Sequence, residues 1–324
     1  MSYYSMTSEI KRVKFLLLFV ATAFSWSVYS QNNDQVDATI QLYPTTVDSA
    51  EVLSTFITRD FTSEEDKVRA IYTWLINNVA YDPSEYKNFN YSFKNYRERN
   101  KKEEKSRKQI IKRTLQTGKA VCEGYAMVFE KLCQLQGIDN YLVRGDTKTS
   151  FTDIGRPFAN NHMWNVAVIN GTSFLFDATW GAGKFIGSFI KEPTYKYYKA
   201  APKKLINTHY PAFFEDAFVE TEITKEMFSN RPIIIGGFLE IDDIIEPASG
   251  TIQEMLIDNG IIEIVVGATV DAISYSYGEE IKMVAETEHT TFDNQTTFKI
   301  PLELGVKTLL VYFNGKPALG YRIN

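Results

Sequence analysis

Cysteine is scarce in this chain. There are 2 in 324 residues, Cys122 and Cys133, which leaves room for one disulfide at most. Positive charge is not in excess, because the formal net charge is −5, and a chain without a basic surplus lacks the electrostatic footprint of a nucleic-acid binder. The apolar run FLLLFVATAF (Phe15–Phe24) is too short to span a bilayer, which takes about 20 residues. No internal repeat is present, so a solenoid is excluded. What the chain does have is apolar and aromatic. Hydrophobic residues make up 44%, with 19 Tyr and 22 Phe, enough to bury a real core and weighted towards strands rather than disorder. A chain of this length is expected to hold two domains.

The N-terminus reads as a secretory signal. Lys11, Arg12 and Lys14 precede the apolar run, and Val28-Tyr29-Ser30 offers small residues for cleavage after Ser30. The alternative is an uncleaved anchor helix. No cysteine follows the apolar run, so a lipid anchor is not indicated. The expectation is a secreted or periplasmic protein with no stable membrane span after cleavage.

Residues Gln31–Val47 read as a polar, extended lead-in. Thr62 with Glu65 fits a capping box, and Val68, Ile71, Tyr72, Leu75, Ile76 and Val79 then repeat at helical spacing up to Tyr81-Asp82-Pro83. Tyr86–Arg113 is densely charged: a solvated loop or exposed helix, or a flap of charged residues (93–113) bordering a substrate cleft. After Gly118, residues Glu123–Leu135 read as a helix. Cys122 and Cys133 would then lie ~16 Å apart along it, too far for a disulfide. Cys133 reads as core, and Gly137 as the helix stop. YLVRG (Tyr141–Gly145) reads as a strand and Asp146–Asn161 as a loop. WNVAVI and TSFLFD, split by Asn170-Gly171, read as a hairpin. From about Pro232 short β-rich runs predict an all-β sandwich of immunoglobulin type, with Gly187–Asn230 as the tail of the first domain and a connection. The expected divisions are 1–30 signal, 31–230 first domain and 231–324 sandwich.

Cys122 could be a buried hydrophobe, half of a disulfide, a metal ligand or a nucleophile. The hairpin discriminates. A two-residue loop pairs Ile169 with Thr172, so Trp164 faces Asp177, and His162 points to the same face as Trp164. His162 and Asp177 become diagonal neighbours ~7–8 Å apart at the backbone, an arrangement that orients an imidazole. Cys122 opens a helix, where unpaired N–H groups and the dipole favour a thiolate and its own N–H is one oxyanion donor. Gly124 is expected to let another backbone approach closely. One Cys, one His and one Asp are too few for a closed zinc site. Nucleophile, base and orienter are therefore read as Cys122, His162 and Asp177.

VCEGYA (Val121–Ala126) and HMWNVAVINGTSFLFDATWG (His162–Gly181) resemble the transglutaminase-like superfamily, with Trp164, Asn165, Thr179 and Trp180 as flanking matches and the helix carrying Trp74 similar to the family's leading helix. The resemblance covers about residues 60–215. Met163 and the long charged insertion depart from the pattern. It implies an α+β fold: a papain-like transglutaminase core, followed by an immunoglobulin-like sandwich as in kyphoscoliosis-peptidase-like bacterial proteins. It also implies a Cys-His-Asp acyl-transfer enzyme, a peptidase or amidase or a transglutaminase, acting on a protein or peptide with no cofactor and no metal. No ligand cluster for calcium is evident. A catalytically inactive binding or scaffolding module is the alternative.

Overall fold

The computed structural model describes residues 33–86, 94–235, 240–278 and 285–324; the expected signal, 1–30, lies outside them. The chain opens with a helix over 33–40 (α1), which corrects the extended lead-in. Val36 and Ile40 are one turn apart and buried, with Tyr43 and Val47 continuing the apolar edge. Asp37 on the same helix receives a two-pronged pair from Arg69, at 2.9 and 2.6 Å. Composition hides such a helix because its ion-pair partner lies about thirty residues away in sequence.

Helix α2 (Ala50–Asp60) precedes α3 (Glu64–Asn78). The apolar face read from the sequence is the buried one: Val68, Ile71, Tyr72, Leu75 and Ile76. The cap is Ser63, whose hydroxyl accepts from the Asp66 N–H at 3.1 Å, not Thr62. Thr62/Glu65 and Ser63/Asp66 have the same spacing, so spacing alone cannot choose between them. Strand β1 (Ala80–Tyr81) follows. Next comes α4 (Tyr96–Thr117), the charged segment, an exposed helix of which only Ile111, Thr114 and Leu115 are buried. Its surface carries i,i+4 pairs such as Glu104–Lys108 at 2.6 Å, each worth only tenths of a kcal/mol. It stops at Gly118. Strand β2 (Lys119–Ala120) then pairs in parallel with β1 and leads into α5 (Cys122–Leu135). Cys133 is fully buried in the core, and both cysteines are free.

Strands β3 (Asn140–Thr147), β4 (His162–Ile169) and β5 (Thr172–Phe176) form an antiparallel sheet that α5 covers. Asn170 and Gly171 turn the β4–β5 hairpin with positive φ of 51° and 79°, and Ile169 pairs with Thr172, the expected register. After β5 come α6 (Ala178–Ala182), the hairpin of β6 (Gly183–Ile186) with β7 (Ser188–Lys191), and α7 (Pro202–Leu205). Strand β8 (His209–Pro211) then returns to the sheet beside β3, giving the order β5-β4-β3-β8.

Helix α8 (Lys225–Asn230) leads to a region whose described residues hold strands and two short 3-10 turns but no α-helix. Strands β9 (Ile233–Ile234), β10 (Asp243–Glu246), β11 (Thr251–Ile252), β12 (Ile261–Gly267), β13 (Ile273–Tyr277), β14 (Ala285–Thr287), β15 (His289–Phe292), β16 (Gln295–Pro301), β17 (Thr308–Phe313) and β18 (Lys316–Ile323) form two sheets. One has the order β10-β12-β16-β15, the other β11-β18-β17-β13-β14 with β9 on β18. Alternating side chains such as Ile262, Ile264 and Val266 meet Phe298, Val311 and Phe313 in a second core. That alternation is what a sheet with one wet face requires. Among the described residues no helix is long and apolar enough to cross a membrane.

Candidate active site

Cys122 is the first residue of α5. The residue before it, Val121, is the N-cap and offers no side-chain cap. Valine is among the poorest caps, and forgoing a polar one costs ~1 kcal/mol. It leaves the first N–H groups of α5 with no capping side chain competing for them. Cys122 keeps part of its surface open to solvent, in contrast to Cys133. Burial pushes the Cys133 thiol far above the ordinary range. Gly124, one turn in, is the point where α4 and β2 press on α5. A Cβ there would lie 2.5 Å from Thr114 Oγ1 and 2.6 Å from Ala120 Cβ. It is side chains, not a backbone, that the missing Cβ admits.

His162 opens β4 and lies opposite Gly145 of β3. The last rung of the hairpin is Asn165 with Phe176, so the chain just past it brings Asp177 to Trp164 and His162, as register predicts. The His162 Nε2–H donates to Asp177 Oδ2 at 2.7 Å. That leaves Nδ1 free of the carboxylate, and Cys122 lies close enough to the ring to raise its pKa. The structure therefore brings the three residues named from sequence together. Asn165 ties the parts together: its Nδ2 donates to the Ala126 carbonyl of α5 at 3.0 Å, fixing the strand that carries His162 against the helix that carries Cys122.

Asp177 caps α6. Its Oδ1 accepts the N–H groups of Thr179 at 2.7 Å and Trp180 at 3.1 Å. Its Oδ2 accepts a second histidine as well, His209 Nε2 at 3.0 Å. His209 was missed in the sequence. It lies on β8, thirty-two residues after Asp177, in a stretch that reads as a connection. Gly145 is the signal that could have flagged it, since a glycine inside a strand marks a close approach. A Cβ there would lie 2.4 Å from the Trp164 ring and 2.2 Å from the Tyr210 carbonyl. The bare position lets Trp164 reach across β3 and meet His209 edge-on at 5.2 Å. Trp180 packs on His209 at 4.6 Å and on His162 at 6.0 Å, which keeps water from both imidazoles.

Burial works against charge on His162, but the Asp177 carboxylate beside it, its bond to Asp177 and the nearby Cys122 outweigh that and raise its pKa to about 10. Burial likewise works against the Asp177 charge, and the pull of His162, with the hydrogen bond from His209, holds the carboxyl well below the usual range. His209 is lowered by burial, in spite of Asp177, and is neutral. Tyr81 on β1 feels Cys122: burial first, then the cysteine's charge, raises its phenol.

His162, Asp177 and His209 are also close enough in space to be considered as metal ligands, with donor atoms within 4.8 Å of one another. The second histidine adds one candidate ligand to the set counted from sequence. Both ring N–H groups already donate to the same carboxylate oxygen, however, so the cluster closes on itself rather than around a cation. The charged helix α4 leans on the far part of α5, where Arg107 pairs with Glu130, and on Glu85 through Arg113. Of the charged segment, only residue 93 lies outside the described residues.

Residues 52–178 match the transglutaminase-like superfamily. The kyphoscoliosis peptidase of Mus musculus is 29% identical over 164 residues, 49% of this chain and 22% of that protein. The Homo sapiens kyphoscoliosis peptidase is 30% identical over 154 residues, 45% of this chain and 21% of that protein. The chain thus spans about a fifth of the length of either relative. A solved TGase structure is similar at 17% identity over 52% of this chain and 37% of that one, with a TM-score of 0.27. Over residues 52–178, this chain carries a domain of the transglutaminase-like superfamily.

Proposed function

We propose that the protein is a thiol acyl-transfer enzyme with Cys122 as nucleophile, His162 as general base and acid, and Asp177 as the group that orients His162. The observation that carries this reading is the 2.7 Å bond between Asp177 and His162, with Cys122 close enough to His162 to raise its pKa and placed at the uncapped N-terminus of α5. His162, kept protonated by Asp177, already holds the proton of the Cys122–His162 pair, and the sulfur attacks a carboxamide or peptide carbonyl. The oxyanion forms against the Cys122 N–H. The imidazolium then protonates the departing amine, leaving a thioester on Cys122. Water, deprotonated by His162, attacks the thioester and releases the acid, leaving the proton on His162. An amine in place of water would give transamidation. Hydrolysis is the outcome we assign, because the relatives that cover half of this chain are named as peptidases. The substrate is a protein or peptide, and no step calls for a cofactor.

The test is a substrate screen that scores new peptide N-termini against incorporation of a fluorescent primary amine, with Cys122→Ala as control. Cleavage present in the parent and lost in the variant supports the reading. Activity in neither, or equally in both, returns the protein to the scaffolding alternative. We further propose export, from the basic and apolar segment before Ser30; the exported chain should begin at Gln31 on N-terminal sequencing. We also propose that the chain divides near residue 230 and that the C-terminal sandwich is of immunoglobulin type. Its two sheet orders, with β11 parallel to β18, support this by matching the four-strand and GFC-containing sheets of that fold.

A further inference from the structure

We infer that His209 is a fourth functional member of the site, a positioning residue that acts on His162 and Cys122 through Asp177. The inference rests on the acyl-transfer reading above. A carboxylate can only accept hydrogen bonds, so the His209 Nε2 at 3.0 Å from Asp177 Oδ2 carries the proton. Its Nδ1 is then bare, and the one proton of the Thr208 hydroxyl goes to it at 2.7 Å in preference to the Leu205 carbonyl at 3.1 Å. Thr208 thereby fixes the His209 tautomer, just as Asp177 fixes that of His162. Two imidazole N–H groups converge on one oxygen, Oδ2, while two backbone N–H groups hold the other. Asp177 cannot rotate without breaking bonds at both oxygens, and its charge is shared over four donors.

The consequence is chemical as well as geometric. A carboxylate left with a single imidazole partner in a dry site binds a proton more tightly. It also pulls harder on the proton of His162. The second N–H therefore lowers the proton affinity of the whole Cys122–His162–Asp177 unit and keeps the shared proton on His162, available to the leaving group. His209 is sealed in for this task by Trp164, Trp180 and Tyr197. The other titratable groups that face the unit are Tyr125 from α5, Tyr72 from α3, Tyr81 from β1 and Tyr197 from the segment before α7. Asp216 lines the small cavity on the other side of His209. The tyrosine groups are all raised, so they stay neutral through the working range and leave His162 and His209 as the groups that bear on Asp177.

The test is the pH dependence of Cys122 alkylation by iodoacetamide in the full-length protein, read by peptide mass spectrometry with Cys133 as internal reference. For His209→Leu the acidic limb of the profile moves to higher pH by about one unit, the scale of one lost hydrogen bond to a charged carboxylate. His209→Gln, whose amide N–H reaches the same place, returns it towards the parent. Thr208→Val, which keeps the shape and removes the donor to Nδ1, moves it in the same direction by less. This variant carries the test if His209→Leu does not fold. A packing role would lower stability and leave the limb where it was. A limb unmoved in folded His209→Leu, or in Thr208→Val where that variant must stand in, overturns the inference while leaving the acyl-transfer reading intact. A parent Cys122 no more reactive than Cys133 at any pH overturns both.

Discussion

At the scale of single residues, the site depends on which protons are held where. Cys122→Ala removes the nucleophile, and turnover should fall by about 10⁴-fold or more, with the fold retained because the side chain is small and partly exposed. Asp177→Asn keeps the shape but offers an amide where His162 and His209 each need an acceptor. kcat should fall by roughly 10³–10⁴-fold, and a kcat comparable to the parent's would remove Asp177 from the mechanism. Three of the four residues at this scale were legible beforehand. Cys122 stood out by scarcity and by its place at a helix start, and His162 and Asp177 by the hairpin that measures their separation. His209 was not legible, because a three-residue strand in a stretch rich in Lys, Pro and aromatic residues has no periodicity to place it. Its partner Asp177 also lies just past β5, with β4 and β3 between that strand and β8 in the sheet.

At the scale of elements, the site is a helix end held against a strand end. Asn165→Leu breaks the one side-chain bond from β4 to the α5 backbone and leaves the Ala126 carbonyl facing an apolar group, a loss of about 1–3 kcal/mol. The melting temperature should drop, and Cys122 alkylation should slow, because His162 no longer sits at its fixed distance; a variant as reactive as the parent would show that other contacts set that distance. Gly124→Val should cost a similar ~1–3 kcal/mol through overpacking against Thr114 and Ala120, visible as an earlier thermal transition. Elements with a local signal were readable: α3 by its 3.6-residue period, α5 by its run of good helix formers, β4 and β5 by Asn170-Gly171. Helix α1 was not, because its stability comes from Arg69 and from a core contributed by later segments. The helical state of α4 remained one option of two, since a polar run looks alike as loop or exposed helix.

At the scale of the whole molecule, the charge state of the buried site is coupled to folding. The pKa of His162 rises from 6.5 to about 10 on folding. The folded state then binds more protons than the unfolded state between those values, so this contribution is complete below about pH 6.5 and is lost as pH rises towards 10. Melting temperatures from pH 6 to 10.5 should fall more steeply for the parent than for His162→Gln; parallel curves would show that the pair adds nothing to stability. The two cores are joined by Lys148, which is buried and donates to the Arg231 carbonyl at 2.6 Å, and by Arg322, which donates to the Ile154 carbonyl at 3.1 Å. Lys148→Met should speed amide exchange in residues 229–235, with Cys122 reactivity unchanged.

The central claim, that Cys122 is an activated nucleophile, is met most directly by competitive iodoacetamide labelling of the native protein at pH 7. The account predicts that Cys122 is modified far faster than Cys133, and that His162→Gln removes most of that difference. Equal rates at the two cysteines, or a Cys122 rate indifferent to His162, would contradict it.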